Sequence, residues 1–205
     1  MPDARRFIAR RPLRTIRPAD LEGVYANPRA ALRRLEREGV VHRLAHGYYC
    51  EVPADADPDT WLPSLEAAAM GVAHARGGPS DPVLMGMSAA RVRGARPRAG
   101  ATATVAVAVG GRRPVQMVDR PATVRFVERD ASVLDAERIA LDLGAALVTT
   151  AEQTLLDLVR LFPDDPETPA VVRALWSGAD KAQLDHLART SRGVATLQRA
   201  ERLVS

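Results

Sequence analysis

Lysine is almost absent from this sequence: Lys181 is the single lysine among 29 basic residues, and all the others are arginine. Cysteine is equally scarce. With Cys50 as the only thiol, an intrachain disulfide is impossible, and a cysteine-based zinc site would have to take most of its ligands from elsewhere. No apolar run approaches the roughly 18 residues that a membrane span requires. Residues 1–15 alternate arginine with short apolar pieces where a signal peptide carries a continuous apolar core, so a cytoplasmic chain with no membrane partner is expected.

Catalytic signatures are missing too. The glycines at 71, 77, 78, 86, 110 and 111 are not followed by Gly-Lys-Ser or Gly-Lys-Thr, so no phosphate loop forms, and neither protein-kinase signatures nor the Glu-x-Lys pair of a metal-dependent nuclease occurs. No cofactor or metal is expected. Asp157, Ser88 and Glu152 read as structural residues: Asp157 on the polar side of its helix, Ser88 opening a helix, and Glu152 in the first turn of a helix capped by Thr150.

What is present is a normal globular mixture, 46% hydrophobic and 26% charged, in 205 residues, which is room for one ordinary domain and a small second one. The net charge of +4 is unevenly spread. Residues 1–53 hold 11 arginines against 6 acids, whereas the remainder is one charge short of neutral on the acidic side. A basic first quarter on a near-neutral body marks a module that meets a polyanion.

The stretch NPRAALRRLEREG, residues 27–39, carries that signal. Asn27 suits an N-cap, Pro28 the first helical position and Gly39 the C-terminal stop, so a short bounded helix is expected. On a helical wheel Ala31, Leu32 and Leu35 share one side; Arg29, Arg33 and Arg37 step by four along the other, with Arg34 at its edge. Glu36 and Glu38 offset only the C-terminal half, and the helix dipole adds to the positive N-terminal end. Upstream, residues 18–25 predict a short helix from Pro18 with Leu21 and Val24 inward. Downstream, VVHRL, AHG and YYCEV predict two strands joined by a three-residue turn with Gly47 at positive φ. Helix, turn, arginine-faced helix and hairpin make a winged helix-turn-helix, whose second helix enters the major groove while the hairpin touches the adjacent backbone. Asn27, Arg29, Arg33, Arg34, Arg37, Arg43 and His46 are the candidate DNA-binding residues. His42, His46 and Cys50 recur every four residues, but a turned hairpin does not bring such a series to one face, and no metal site is inferred.

ADADPD, residues 54–59, reads as the connector between a winged unit at 1–53 and a second domain at 60–205 that is long enough to fold alone. That domain predicts a helix after Trp61, a buried strand turning into a short helix at Ser88, and strands in ATATVAVAV, VQMV and ATVRFVE, with two more around Gly144. The helix TAEQTLLDLVRLF and two or three terminal helices follow. The fold class is α/β (α+β): an N-terminal winged helix-turn-helix, then a mixed α/β domain with a helical C-terminal end.

With GYYCEVP (47–53), VLMGMSAARVRGA (83–95) and LVTTAEQTLLDLV (147–159) in this order, the chain resembles the AbiEi antitoxins of type IV toxin-antitoxin, or abortive-infection, operons along nearly its whole length. It departs from them before Pro18, where the stretch is short and arginine-rich. The resemblance implies a repressor of its own operon whose second domain counters a nucleotidyltransferase-like toxin encoded beside it. For some relatives it also implies phosphorylation of the toxin. Two alternatives stand beside the antitoxin: an ordinary winged-helix regulator with a sensor domain, and an atypical kinase acting on the toxin. Because one winged helix reads few base pairs, the expected partner is operator DNA with repeated half-sites that two copies occupy.

Overall fold

The computed structural model describes residues 4–96, 100–110, 113–191 and 193–205. Its first fifty residues form helix α1 (Ala4–Ala9), strand β1 (Thr15–Ile16), a 3-10 turn at Pro18–Leu21, helix α2 (Pro28–Arg37) and strands β2 (Val41–Ala45) and β3 (Tyr48–Glu51). The strands make an antiparallel sheet in the order β1-β3-β2. Ile8, Ile16, Leu21, Leu32, Leu35, Val41 and Tyr49 close a small core beneath it. Tyr48, the other tyrosine of the pair, packs instead against the core of the body.

Three local expectations change. The short, arginine-rich stretch before Pro18 holds a helix of only six residues, and β1 adds a third strand to the two expected in the wing sheet. The helix expected over 18–25 is a single 3-10 turn, ended where Glu22 becomes extended and Gly23 takes a φ of 80°. The hairpin turn has two residues, since Ala45 belongs to β2 opposite Tyr48; Gly47 does take the positive φ, at 79°. Helix α2 has the expected bounds. Asn27 Oδ1 accepts the Ala30 N–H at 3.1 Å, and past Gly39 the Val40 N–H returns to the Leu35 carbonyl at 2.9 Å.

The body is a mixed α/β structure. Helix α3 (Leu65–Arg76) leads to β4 (Val83–Leu84), α4 (Gly86–Val92), β5 (Thr102–Val107), β6 (Val115–Gln116), β7 (Thr123–Glu128), β8 (Ala136–Leu141) and β9 (Gly144–Thr149). The six strands lie in the order β6-β7-β5-β4-β9-β8, with β4 parallel to β9, β5 parallel to β7, and the other pairs antiparallel. Helices α5 (Ala151–Leu161), α6 (Thr168–Gly178), α7 (Lys181–Thr190) and α8 (Val194–Val204) pack around Leu155, Leu158, Val172 and Leu184 at the C-terminal end. Helix α4 begins two residues before Ser88, at Gly86. Ser88 is buried inside it and accepts the Thr104 N–H at 3.0 Å.

Helix α3 joins the two parts. Ala67, Ala68, Ala69, Met70 and Val72 are fully buried, so the middle of this helix must be covered on several sides at once. The body strands β4, β5 and β9 cover one part of it, and β1, β2, β3 and the 3-10 turn at Pro12–Arg14 cover another. Leu13, Leu44 and Cys50 consequently belong to the same core cluster as Met70, Val105 and Val148. The connector at 54–59 divides the chain in sequence, while the packing runs across it.

The tightest point of that packing is at Gly71. A Cβ there would lie 2.3 Å from Thr15 Oγ1, a hydroxyl that already donates to the Leu13 carbonyl at 2.8 Å. Alanine in a helix interior is favoured over glycine by about 1 kcal/mol, but overpacking a filled site costs about 1–3 kcal/mol. Gly71→Ala is expected to be at least about 1 kcal/mol more destabilising with Thr15 present than in a Thr15→Ala background. Urea unfolding of the four proteins in this cycle measures the difference, and equal costs in both backgrounds would show that the contact does not limit the approach.

Candidate nucleic-acid interface

The N-terminal half of α2, the Pro18–Leu21 turn and the wing enclose a groove of about 820 Å³. Asn27, Arg29 and Arg33 line it from the helix, and Arg43, His46 and Tyr48 from the hairpin. Arg29 and Arg33 are exposed, and among the described residues no acid pairs with either. His46 lies exposed at the hairpin turn, where Nδ1 hydrogen-bonds the Arg43 guanidinium. One carboxylate, Glu22, lines the groove, and the positive end of the α2 dipole opens into it. A ten-residue helix such as α2 is about 15 Å long, and the DNA major groove, roughly 12 Å wide, admits one helix. This half of the helix, with the hairpin beside it, has the charge, the donors and the shape to meet a polyanion.

The seven candidates do not all gather there. Arg34 is half-buried and pairs with Glu38 at 3.6 Å along the helix. Arg37 is exposed on the far side, where it lines a second hollow of about 620 Å³ with Glu36, Glu38, Asp59 and Asp119. Arg17 was not among the candidates but lines the first groove; it sits at the start of the Pro18 turn, its own N–H donating to Asp20 Oδ2 at 2.7 Å. A basic residue immediately before the proline that opens a turn is the one signal that could have found it.

Residues 3–52 match the family model described as a transcriptional regulator, AbiEi antitoxin. This segment, about a quarter of the chain, is similar to the N-terminal domain of AbiEi transcriptional regulators. Comparison with curated proteins finds no match. Among solved structures, the RV2827C protein from Mycobacterium tuberculosis superposes with a TM-score of 0.60 at 20% identity, over 98% of this chain and 74% of that one. At that identity the likeness is one of fold, and it extends through the body as well as the AbiEi-like segment.

Behind the wing, the three residues spaced by four go to separate partners. His42 bonds Asp119, His46 bonds Arg43, and Cys50 is buried, with burial first and the charge of Asp119 second pushing its thiol well above the usual value. Among the described residues no group of three or more His, Cys, Asp or Glu side chains is placed to hold a metal ion, and no helix is long and apolar enough to cross a membrane. Glu152 lies in the first turn of α5 and also accepts the Asp180 N–H at 2.8 Å, tying that turn to the start of α7.

Asp157 differs from its expected place on a polar helix side. It is 2% exposed, accepts from Gln153 Nε2 at 3.0 Å and Arg129 Nη1 at 3.3 Å, and its Oδ2 has no hydrogen-bond partner among the described residues. Burial raises its pKa, and Arg129 only partly reverses this. Below the ordinary carboxyl value, about 3.9, Asp157 is neutral in both the folded and the unfolded chain. As the pH rises through that value the unfolded chain ionises first, so stability falls until Asp157 ionises in the folded chain as well. Asparagine has no such loss. The melting temperature of Asp157→Asn relative to the parent is therefore expected to rise between about pH 4 and pH 7. A difference that stays flat or falls over this interval contradicts the assignment.

Proposed function

We propose that this chain is a DNA-binding antitoxin that represses its own operon and counters a nucleotidyltransferase-like toxin encoded beside it, acting in the cytoplasm. The observation that carries this reading is the convergence of Arg29, Arg33, Arg43 and His46 on one groove of an AbiEi-like segment. In this proposal residues 1–53 bind the operator and residues 60–205 supply the antitoxin part. Arg29 and Arg33 approach base edges in the major groove, and Arg43 and His46 contact the sugar-phosphate backbone beside it. Asn27 fixes the start of the reading helix, while Arg34 and Arg37 add charge along its flank. Two copies on repeated half-sites, set about one helical turn or a multiple apart, would supply the specificity that one winged helix lacks.

Replacing Arg29 and Arg33 together by alanine tests the reading. Each lost base contact is expected to cost about 1–3 kcal/mol on the operator. Each lost phosphate contact is expected to lower the slope of log affinity against log salt by about 0.9. In cells carrying the adjacent toxin gene, the same variant is expected to lose repression yet still rescue growth. Unchanged operator affinity with an unchanged salt slope would remove the DNA-binding assignment, and failure of the parent chain to rescue growth would remove the antitoxin one.

A further inference from the structure

The wing of a winged helix is an edge hairpin, and a hairpin alone is marginally ordered in water. Here the outer edge of β2 is occupied by the body segment 117–119, which follows β6. The Val118 N–H donates to the Leu44 carbonyl at 2.9 Å, and Ala45 bridges Met117 in antiparallel register. His42 Nε2 meets Asp119 Oδ2 at 2.9 Å. An ionised carboxylate only accepts, so the proton of this bond sits on Nε2. The His42 ring also stands edge-on to Trp61, 6.2 Å between centroids.

These contacts fall on either side of Arg43. His42 and Leu44, its chain neighbours, are each tied to the body, while Arg43 itself borders both the groove shared with Arg29 and Arg33 and the hollow lined by Asp119. The ladder register shifts between Arg43 and Ala45, so β3 alone does not determine the course of the strand here.

Asp119 is suited to hold such a position. Its side chain is 3% exposed and is gripped from the other side by Arg120, whose Nε and Nη2 donate at 3.1 and 2.9 Å. Burial pushes its carboxyl up, and the hydrogen bonds from His42 and Arg120 more than reverse this, leaving it below the usual value. Buried pairs of this kind contribute little net stability but can impose one geometry on the groups they join.

We propose that Asp119, a residue of the body, is a positioning residue for DNA recognition: through His42 it sets the course of β2 and with it the placement of Arg43 against the DNA backbone. The inference rests on the DNA-binding reading above. It makes the body part of the DNA-reading apparatus, because whatever displaces segment 117–119 displaces Arg43.

Double-mutant cycles on the full chain test it, with operator affinity measured for His42→Ala and Asp119→Ala, each with and without Arg43→Ala, for Arg43→Ala alone, and for Asp119→Asn. His42 is half-buried, so its truncation leaves Asp119 held by Arg120 and the fold in place. His42→Ala and Asp119→Ala are each expected to lose about tenfold in affinity when Arg43 is present and less than about twofold when it is absent. Asp119→Asn, which can still accept the His42 N–H, is expected to recover most of the loss. Losses that multiply independently of Arg43, or no loss from His42→Ala while Arg29→Ala/Arg33→Ala weakens binding, would overturn the inference. Unchanged binding in the Arg29→Ala/Arg33→Ala protein would overturn the DNA-binding reading and this inference with it.

Discussion

The structure depends on how closely helix α3 approaches β1. At Gly71 nothing larger than hydrogen fits beside the Thr15 hydroxyl, and Ala67, Ala68 and Ala69 before it are fully buried. A helix this small in cross-section lets a three-stranded and a six-stranded sheet share it as a common core element. The winged part contributes Leu13, Leu44 and Cys50 to that core, and the body contributes the inward faces of β5 and β9. Hydrophobic burial across the junction therefore does what a flexible connector cannot: it gives α2 and the wing a set orientation relative to the body.

Charge is distributed to the same end. Several arginines of the body are matched to acids: Arg91 to Glu66, Arg93 to Glu137, Arg96 to Glu167, Arg120 to Asp119, Arg129 to Asp157 and Arg138 to Asp81. Apart from Arg120 and Asp119, which are neighbours in the chain, these pairs join residues at least 25 positions apart. Arg29 and Arg33 lie instead on the solvent face of α2, without an acid against them among the described residues. Of the eleven arginines in residues 1–53, four (Arg17, Arg29, Arg33 and Arg43) line the groove where a helix N-terminus and a hairpin tip converge.

Much of this could be read directly from residues. Helix α2 announces itself because Asn27, Pro28 and Gly39 each act within a turn of their own position, and the leucine spacing repeats. The long strands and α5 were legible for the same reason, Thr150 capping α5 as expected. What was hidden is what distant segments impose. Strand β1 has two residues and exists because β3 and α3 hold it. Ala45 becomes strand rather than turn opposite Tyr48 and Met117, and Asp157 is buried beside Arg129 and the start of α8 although its helix position looks polar. Arg37 shares a wheel face with Arg29, but eight residues of helix are about 12 Å of rise, and by that height Asp59, Val118 and Asp119 form the adjacent wall. A helical wheel carries angle and no height, so it could not separate the two.

Whether the winged part and the body form one cooperative unit is measured most directly by thermal unfolding of residues 60–205 alone, followed by circular dichroism beside the full chain. Without residues 1–53, α3 loses the cover of Leu13, Leu44 and Cys50 and exposes Met70 and its neighbours. The shared core requires that the fragment show no sharp transition and bind a hydrophobic dye. A fragment that melts cooperatively near the temperature of the full chain would contradict it.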